Sequence, residues 1–245
     1  MSASTPLALV TGAAHRLGKS FALTLARHGF DIVLHYHRSL DAALQTKTEI
    51  ESLSRRVYLI QADLTQPGEI KKLFTQLDTI LHPSTFILDV LVNSAAFMPG
   101  GNVDALSLEN WDTSLDLNLR APFLLAQEAS KKMTDGGLIV NITDVGAQKA
   151  WSRYPSYTVS KAALESLTRI LARALAPKIR VNAIAPGLVL QSDIVSAGEW
   201  ERLTKRIPLR RPARTEEISS ALEFLLQNEY VTGQTIVVDG GYSLI

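Results

Sequence analysis

Short apolar segments alternate with longer segments of helical periodicity along most of the chain. The apolar segments are no more than eight residues long, and most lack a polar face. This pattern is typical of strands that are buried on both faces of a parallel sheet. We predict seven strands, at residues 7–11, 31–36, 57–62, 86–93, 137–143, 179–185 and 235–239.

Helical periodicity fills the intervals between the predicted strands. We predict helices at residues 17–28, 40–53, 68–81, 108–133, 157–175 and 215–226, with Thr215 as the N-cap of the last. Strands and helices that alternate in this way form βαβ crossovers, and no linker of Pro, Gly or Ser divides them. The chain is therefore predicted to be one α/β domain over residues 1–245. The expected fold is a doubly wound Rossmann domain with a seven-stranded parallel sheet flanked by helices.

Two segments lack a regular pattern, residues 93–102 and residues 186–212. Each follows the carboxyl end of a predicted strand, where open α/β sheets bind their ligands. The second segment is too long for an ordinary connection, which is typical of a lid or a binding segment. We expect both segments to border a ligand site.

Composition and charge narrow the class of protein. Hydrophobic residues make up 46% and charged residues 20% of the 245 residues, which excludes a disordered chain. The net charge is only +1, so the basic excess of a nucleic-acid binder is missing. The chain contains no cysteine, which excludes disulfides and thiolate metal sites, and we expect no metal. Apolar runs stay below the ~18 residues of a membrane span, and residues 1–6 do not resemble a signal peptide. We expect a soluble cytoplasmic protein that binds neither nucleic acid nor membranes.

The segment between the first predicted strand and the first predicted helix is rich in small residues. Gly12 and Gly18 are placed to allow a tight turn and a close backbone approach to a pyrophosphate at the helix N-terminus. A plain turn would show the same glycines. Arg16, between them, either places a fixed cation beside the phosphates or faces solvent.

The second predicted strand ends without a carboxylate. Dinucleotide-binding folds that use NAD usually place an Asp or Glu there to hold the ribose hydroxyls. Here the strand end contains a guanidinium and a hydroxyl that can bind a 2′-phosphate, in the run His35, Tyr36, His37, Arg38 and Ser39. We expect NADP(H) rather than NAD(H). Alternatively, Arg38 is merely exposed and the two histidines cover the adenine.

A tyrosine and a lysine lie four positions apart in the fifth predicted helix. Tyr157 and Lys161 therefore share one helix face. A phenol with a pKa near ~10 is a poor acid or base at neutral pH, and a nearby ammonium stabilises the phenolate. We expect Lys161 to lower the pKa of Tyr157.

These motifs, in this order and at this spacing, resemble the short-chain dehydrogenase/reductase family over residues 7–245. Thr11, Gly12 and Gly18 match the family pattern Thr-Gly-x-x-x-Gly-x-Gly, Arg16 replaces its middle glycine, and Tyr157 and Lys161 match Tyr-x-x-x-Lys. Asp63 matches a position that contacts adenine, although an Asp there could instead cap the next helix. Besides residues 35–39, the resemblance implies cofactor contacts for Gly12, Arg16, Leu17, Gly18, Asp63, Leu64, Asn93, Ser94, Ala95, Tyr157, Lys161, Pro186 and Gly187.

The resemblance also implies a catalytic group of Asn118, Asp144, Tyr157 and Lys161. Asp144 lies 13 residues before Tyr157, where the family has a serine. Asn118 matches an asparagine that supports a proton-relay water in the family. Asp144 could relay a proton to a ring nitrogen as a carboxylic acid, or it could simply hold a turn or cap.

Several departures from the family pattern resemble the pteridine reductases, which use NADPH to reduce oxidised pterins and folates. They are Arg16, residues 35–39, Asp144 and the tail at residues 240–244. This resemblance implies a substrate site of Arg16, Phe97, Asp144, Tyr157 and Leu188. Phe97 could stack on the pterin or pack beneath its loop, and both remain open.

Two other functions remain open from the sequence. The chain could be a carbonyl reductase of the same family that acts on a 3-oxoacyl thioester or a sugar ketone. It could also be a non-catalytic NADP-binding sensor, although such proteins commonly lose the Tyr or the Lys that is intact here. Relatives form tetramers by packing their two long helices together, so a homotetramer is expected.

Overall fold

The computed structural model describes residues 5–81, 87–149, 151–192 and 195–245. Phe86, at which the fourth strand is predicted to start, lies outside these ranges. So do residues 1–4, and residues 193 and 194 of the long irregular segment.

The structure contains the predicted seven-stranded parallel sheet. Its strands are β1 (Leu7–Val10), β2 (Asp31–Tyr36), β3 (Val57–Gln61), β4 (Val90–Asn93), β5 (Gly137–Ile142), β6 (Ile179–Pro186) and β7 (Thr235–Val238). Their order is β3-β2-β1-β4-β5-β6-β7, and every neighbouring pair is parallel. The strand order reverses between β1 and β4, which is the point where a doubly wound sheet opens a crevice for ligands. The predicted fold class is confirmed.

Helices cover both faces of this sheet. They are α1 (Arg16–Arg27), α2 (Leu40–Glu51), α3 (Pro67–Leu81), α4 (Leu108–Leu115), α5 (Ala121–Ser130), α6 (Pro155–Leu175), α7 (Ala197–Arg206) and α8 (Thr215–Gln227). On one face, Phe21 and Leu25 of α1 and Leu222 of α8 pack with Val10. On the other, Leu73 of α3 and Leu125 of α5 pack with residues that include Leu9 of β1. The alternation of adjacent strand residues between two apolar layers explains why the strands lack a polar face.

The helix predicted over residues 108–133 is not one regular α-helix. A π-helical turn, Asp116–Arg120, separates α4 from α5, and α5 ends at Ser130. The Ala121 N–H donates to the Asp116 carbonyl, five residues back. Pro122 lacks the N–H that would bond to the Asn118 carbonyl in a regular helix, so an extra residue is accommodated here.

Two further predictions about helices are wrong. Residues 186–212 were expected to be irregular, but α7 forms within them because the Ser196 hydroxyl accepts from the Glu199 N–H and caps it. None of the residues of α7, all of which the structure describes, is buried. Its apolar residues Trp200 and Leu203 are three positions apart and line the cavity, so the sequence contained a short helical signal that the prediction missed. Thr215 does not cap α8 but is its first residue, because the Glu217 carboxylate accepts from the Arg214 N–H at 2.8 Å.

No helix in the described ranges has both the length and the apolar character needed to cross a lipid bilayer.

Candidate active site

A large cavity lies at the carboxyl edge of the sheet. Its volume is about 1390 Å³, and its walls come from the segments that follow β1 to β6 and from α7. Both segments that lack a regular sequence pattern border it. A cavity of this size can contain a dinucleotide together with a small substrate.

The loop after β1 can approach a ligand closely because it contains two glycines that no other residue can replace. Gly12 has φ +63°, and a Cβ there would lie 2.9 Å from Ala95 Cα. A Cβ on Gly18 would lie 2.1 Å from the Gly12 carbonyl oxygen. The Thr11 hydroxyl accepts from the N–H groups of Ser94 and Ala95 at 2.9 and 3.1 Å, which holds the loops after β1 and β4 together.

His35 fixes the position of this glycine-rich loop. Its Nδ1 accepts from the Gly12 N–H at 3.1 Å, and its Nε2 lies 3.0 Å from the Ala62 carbonyl. These partners require the neutral tautomer with the proton on Nε2. Burial lowers the pKa of His35 to about 4, although the Ala62 carbonyl opposes the decrease. A neutral imidazole on β2 therefore joins the loop after β1 to the segment after β3.

Arg16 joins two walls of the cavity. Its φ is +55°, a conformation suited to the glycine that the family has at this position. The guanidinium Nη2 donates to the Leu190 carbonyl at 2.8 Å, and Nη1 donates to the Gln191 carbonyl at 3.1 Å. Arg16 thus ties the loop after β1 to the segment after β6.

The end of β2 presents the candidate 2′-phosphate site to the cavity. His37, Arg38 and Ser39 all line it, as does Asp63 from the segment after β3. The Asp63 carboxylate accepts from the N–H and the hydroxyl of Thr65 at 3.0 and 2.7 Å, so it holds a turn rather than capping α3, which begins at Pro67. Burial opposes its ionisation, but these hydrogen bonds and the charges of His37 and Arg38 lower its pKa.

Asp144 lies at the carboxyl end of β5 in direct contact with Tyr157. Its Oδ2 accepts from the Tyr157 hydroxyl at 2.9 Å, and its Oδ1 accepts from the Gly146 N–H at 2.7 Å. Asp144 therefore caps the short 3-10 helix Val145–Gln148 and also contacts the tyrosine. Burial raises its pKa to about 6, against the opposing hydrogen bonds from Gly146 and Tyr157 and the charge of Lys161.

The tyrosine is not activated as the sequence suggested. Burial and the neighbouring Asp144 carboxylate raise the pKa of Tyr157 well above its usual value. Lys161 does not reverse this effect, because its Nζ donates to the Ile142 carbonyl at 2.6 Å and lies 5.7 Å from the centre of the Tyr157 ring. Burial lowers the pKa of Lys161 to about 8. The expectation of a lowered Tyr157 pKa is wrong, and the phenol stays protonated as a donor to Asp144.

Asn118 holds the loop that contains Phe97. Its Oδ1 accepts from the Phe97 N–H at 2.8 Å, and its Nδ2 donates to the Phe97 carbonyl at 2.8 Å and to the Ser160 hydroxyl at 3.0 Å. Asn118 is fully buried within the π-helical turn. Its side chain thus fixes a cavity wall from behind, while Phe97 itself lines the cavity.

Most of the site residues that the sequence suggested meet at this cavity. Gly12, Arg16, Leu17, Gly18, residues 35–39, Asp63, Ser94, Ala95, Phe97, Asp144, Tyr157, Lys161, Pro186, Gly187 and Leu188 all line it. Leu64, Asn93 and Asn118 lie behind its walls. Leu64 packs in the core, and the Asn93 Nδ2 donates to the Asn141 Oδ1 at 2.8 Å.

Sequence reasoning missed the outer wall of the cavity. That wall consists of Trp151, Arg153, Tyr154, Glu199, Trp200, Leu203 and Tyr242. Tyr242 reaches it because the chain turns back after β7 at Gly240 and Gly241, which have φ +62° and +87°. Three aromatic residues within 151–157 were the available signal, but only the tertiary structure brings α7 and the C-terminal tail against them.

Comparison with known proteins agrees with this fold and site. The family profile described as enoyl-(acyl carrier protein) reductase matches residues 12–243. The chain is 36% identical to a 1-cyclohexenylcarbonyl-CoA reductase of Streptomyces collinus, over 98% of this chain and 87% of the relative. It is 34% identical to a 3-oxoacyl-[acyl-carrier-protein] reductase of Synechocystis, over 96% of each.

A solved structure extends the comparison to three dimensions. The alternative dihydrofolate reductase FolM of Brucella suis, in complex with NADP, superposes with a TM-score of 0.90 and 38% identity. The match covers 100% of this chain and 97% of the other. Fold, motifs and relatives thus define an oxidoreductase of the Rossmann type. The chain belongs to the short-chain dehydrogenase/reductase family.

Proposed function

We propose that the protein is an NADPH-dependent pteridine reductase, which reduces a C=N bond of oxidised pterins or folates. The observation that carries the proposal is the contact between Asp144 and Tyr157, with a 2.9 Å hydrogen bond in a buried site. Asp144, whose pKa is about 6, stands where the family pattern has a serine. A carboxyl is a stronger proton donor than a serine hydroxyl, which suits protonation of a ring nitrogen.

The cofactor is NADP(H). The residues around the cavity fit this group, because the Gly12 and Gly18 backbone leaves no room for a Cβ and the end of β2 contains Arg38 and Ser39 without a carboxylate. When bound, NADPH supplies a hydride. Arg38 and Ser39 would hold the 2′-phosphate, and the loop at residues 12–18 would hold the pyrophosphate.

The remaining chemistry is proton delivery, which the chain itself supplies. A ring nitrogen must gain a proton as the neighbouring carbon is reduced. Tyr157 stays protonated and donates to Asp144, so a proton given up by either group can be replaced through the other. Lys161 places a positive charge beside both groups. This charge offsets part of the increase in the Asp144 pKa that burial causes.

Phe97, Leu188 and Arg16 supply the substrate end of the cavity in this proposal. The Phe97 ring lines the cavity, and Asn118 clamps its backbone from behind, which suits a stacking platform for a flat ring. The similarity to the Brucella suis protein, an alternative dihydrofolate reductase, supports the same substrate class.

A second candidate is reduction of a ketone such as a 3-oxoacyl thioester, which the name of the Synechocystis relative favours. A panel of NADPH oxidation assays separates the two. Turnover of dihydrobiopterin or dihydrofolate at least tenfold more efficient than turnover of 3-oxoacyl thioesters and simple ketones supports the pteridine reductase. The reverse order refutes it, and NADPH binding without turnover of any of these compounds identifies a non-catalytic sensor.

A further inference from the structure

The segment at residues 202–214 is strongly cationic. It contains six lysines and arginines and no acidic residue, in a chain whose net charge is +1. The rest of the chain is therefore net negative, and the positive charge is concentrated at one place. We refer to residues 202–214 as the cationic segment.

The cationic segment begins in the outer wall of the cavity. Glu199, Trp200 and Leu203 of α7 line the cavity beside Tyr242. Ile207, one turn further along, packs with Tyr242 and Val145, the residue that follows Asp144. The first part of the segment therefore lies near the Asp144 end of the cavity.

Not all of these positive charges are available to a ligand. Lys205 pairs with Glu201 at 2.6 Å, and Arg211 and Arg214 both pair with Glu217, at 2.7 and 3.3 Å. Among the described residues, no carboxylate lies within ion-pair distance of Arg206. The remaining charges of the segment are Arg202 and Arg206 on α7, and Arg210, which follows the helix and forms no ion pair with a described residue.

Three arginines interact with residues of the outer wall of the cavity. Arg153 lines the cavity directly, and its guanidinium lies 3.1 Å from Glu199, which Arg202 also approaches at 3.7 Å. Burial raises the pKa of Tyr242, but the charges of Arg206 and Arg202 oppose the increase, so both act on a cavity-lining phenol. The side chains of Arg153 and Arg202 are 65% and 63% exposed, so a ligand can reach them.

We propose that Arg153, Arg202 and Arg206 form a subsite for an anionic substituent on the substrate, outside the ring that is reduced. The proposal rests on the pteridine reductase function. Suitable substituents are the carboxylates of a glutamate tail or the phosphate of an esterified side chain, which share an oxyanion that guanidinium groups bind in bidentate geometry. Glu199 holds two of the arginines in place and yields one of them to the incoming anion.

The expected gain in substrate affinity is modest for each negative charge on the side chain and grows with the number of charges. Exposed ion pairs contribute little individually, so one anionic group should lower KM only about threefold. A tail with three glutamates should lower KM about tenfold relative to an uncharged side chain, because several pairs form together. The effect should weaken as the ionic strength rises.

The test compares substrates that share the ring and differ in the charge of the side chain. KM and kcat are measured for dihydrobiopterin, dihydrofolate, dihydropteroyl-triglutamate and dihydroneopterin monophosphate, with the wild type, Arg206→Gln and the double variant Arg202→Gln/Arg206→Gln. Lys178→Gln is the matched control, since it removes one exposed positive charge before β6, at the opposite edge of the sheet.

We expect the double variant to raise KM about tenfold for the triglutamate, with kcat unchanged and dihydrobiopterin unaffected. A lower KM for the glutamate series alone, or for the phosphate ester alone, supports the subsite and identifies whether it binds carboxylates or a phosphate. The subsite is refuted if KM is independent of side-chain charge, or if the variants impair dihydrobiopterin equally. Turnover of dihydrobiopterin with no charge effect leaves the pteridine reductase function intact, whereas no turnover of any pterin overturns both proposals.

Discussion

At the scale of single residues, the choice between the two candidate functions depends mainly on Asp144. Its pKa of about 6 means that about one tenth of the carboxyl groups are protonated at pH 7. The usual interpretation of a Tyr–Lys pair, in which the ammonium favours phenolate, does not apply here. Burial and Asp144 together outweigh Lys161 and keep the phenol protonated.

The first prediction concerns the pH dependence of pterin reduction. If protonated Asp144 is the active form, the rate should be constant below pH 6 and fall about tenfold per pH unit above it, because the folded-state pKa is raised. Asp144→Asn keeps the shape but removes the acid, and should slow turnover by ~10²–10⁴. Initial rates of NADPH oxidation between pH 5 and pH 9 check both statements.

The variant Asp144→Ser tests whether Asp144 also determines the preference for pterins over ketones. It should restore the serine of the family and shift relative kcat/KM from pterins toward ketones. Native rates of pterin turnover and an unchanged pH profile in Asp144→Asn would make Asp144 a structural cap only.

The second prediction concerns the choice of cofactor. Arg38 borders the cavity at the end of β2, so we expect NADPH to be preferred over NADH by ~1–3 kcal/mol, the range for a hydrogen bond to a charged group. Arg38→Asp should remove or invert the preference by repelling the 2′-phosphate. Arg38→Gln, which removes the charge without repulsion, should reduce it by less. The ratio of kcat/KM for the two cofactors measures this, and equal use of both by the wild type would contradict it.

At the scale of secondary-structure elements, the site depends on contacts that lock loops to the sheet. His35 joins the loop after β1 to β2 and to the segment after β3, and Asn118 joins the π-helical turn to the loop after β4. Both side chains lack contact with the reacting groups in the described structure. Their effect is to hold the walls of the cavity at a fixed separation.

The third prediction uses His35 as a reporter of stability. Its pKa is about 4 when folded and 6.5 when unfolded, so the folded state binds fewer protons between these values. The contribution of His35 to the free energy of unfolding should therefore fall by ~3 kcal/mol as the pH drops from 6.5 to 4. Asp144 acts in the opposite direction below pH 6, because its folded-state pKa is raised.

Comparison with the variant His35→Gln separates the contribution of His35 to the pH dependence of stability from that of Asp144. Glutamine offers an acceptor and a donor but does not titrate, so this variant should be less stable at pH 7.5 and lose less stability on acidification. Urea denaturation at pH 7.5 and pH 5 measures both. Parallel losses in the two proteins would contradict the assignment of a neutral His35.

At the scale of the whole molecule, apolar side chains remain exposed on the two long helical segments. Phe123 of α5 is 43% exposed, and Val159 and Ile170 of α6 are 47% and 61% exposed. Val159 and Ile170 are eleven residues apart, which places them on the same face of α6 three turns from each other. This surface supports the homotetramer that the family resemblance implies.

The fourth prediction tests this assembly. Ile170→Glu should dissociate the tetramer to dimers or monomers, because it places a charge in an apolar interface. Ile80→Glu is the matched control, since Ile80 of α3 is 48% exposed and lies outside the two long helices. Sedimentation velocity gives the mass of each variant. A wild-type monomer, or equal effects of the two substitutions, would contradict the prediction.

The sequence alone determined the sheet, its parallel strands and the edge at which the site lies. Strands buried on both faces read as apolar runs, and glycines with no room for a Cβ mark the loop after β1. The positions of Asp144, Tyr157 and Lys161 along the chain, compared with the family pattern, located the candidate catalytic group. These features are local, so the order of residues along the chain carries them.

Only the tertiary structure decided the helix α7, the π-helical turn, the outer wall of the cavity and the protonation of Tyr157. The helix α7 buries none of its residues and has only Trp200 and Leu203 as large apolar residues, so its signal in the sequence is short. Tyr242, Trp151 and Leu203 meet although they are distant in sequence. The direction of the Tyr157 pKa depends on how deeply the phenol is buried and on the distance to each charge. Burial and distance are properties of the packed molecule, because they arise when segments remote in sequence exclude water from one another.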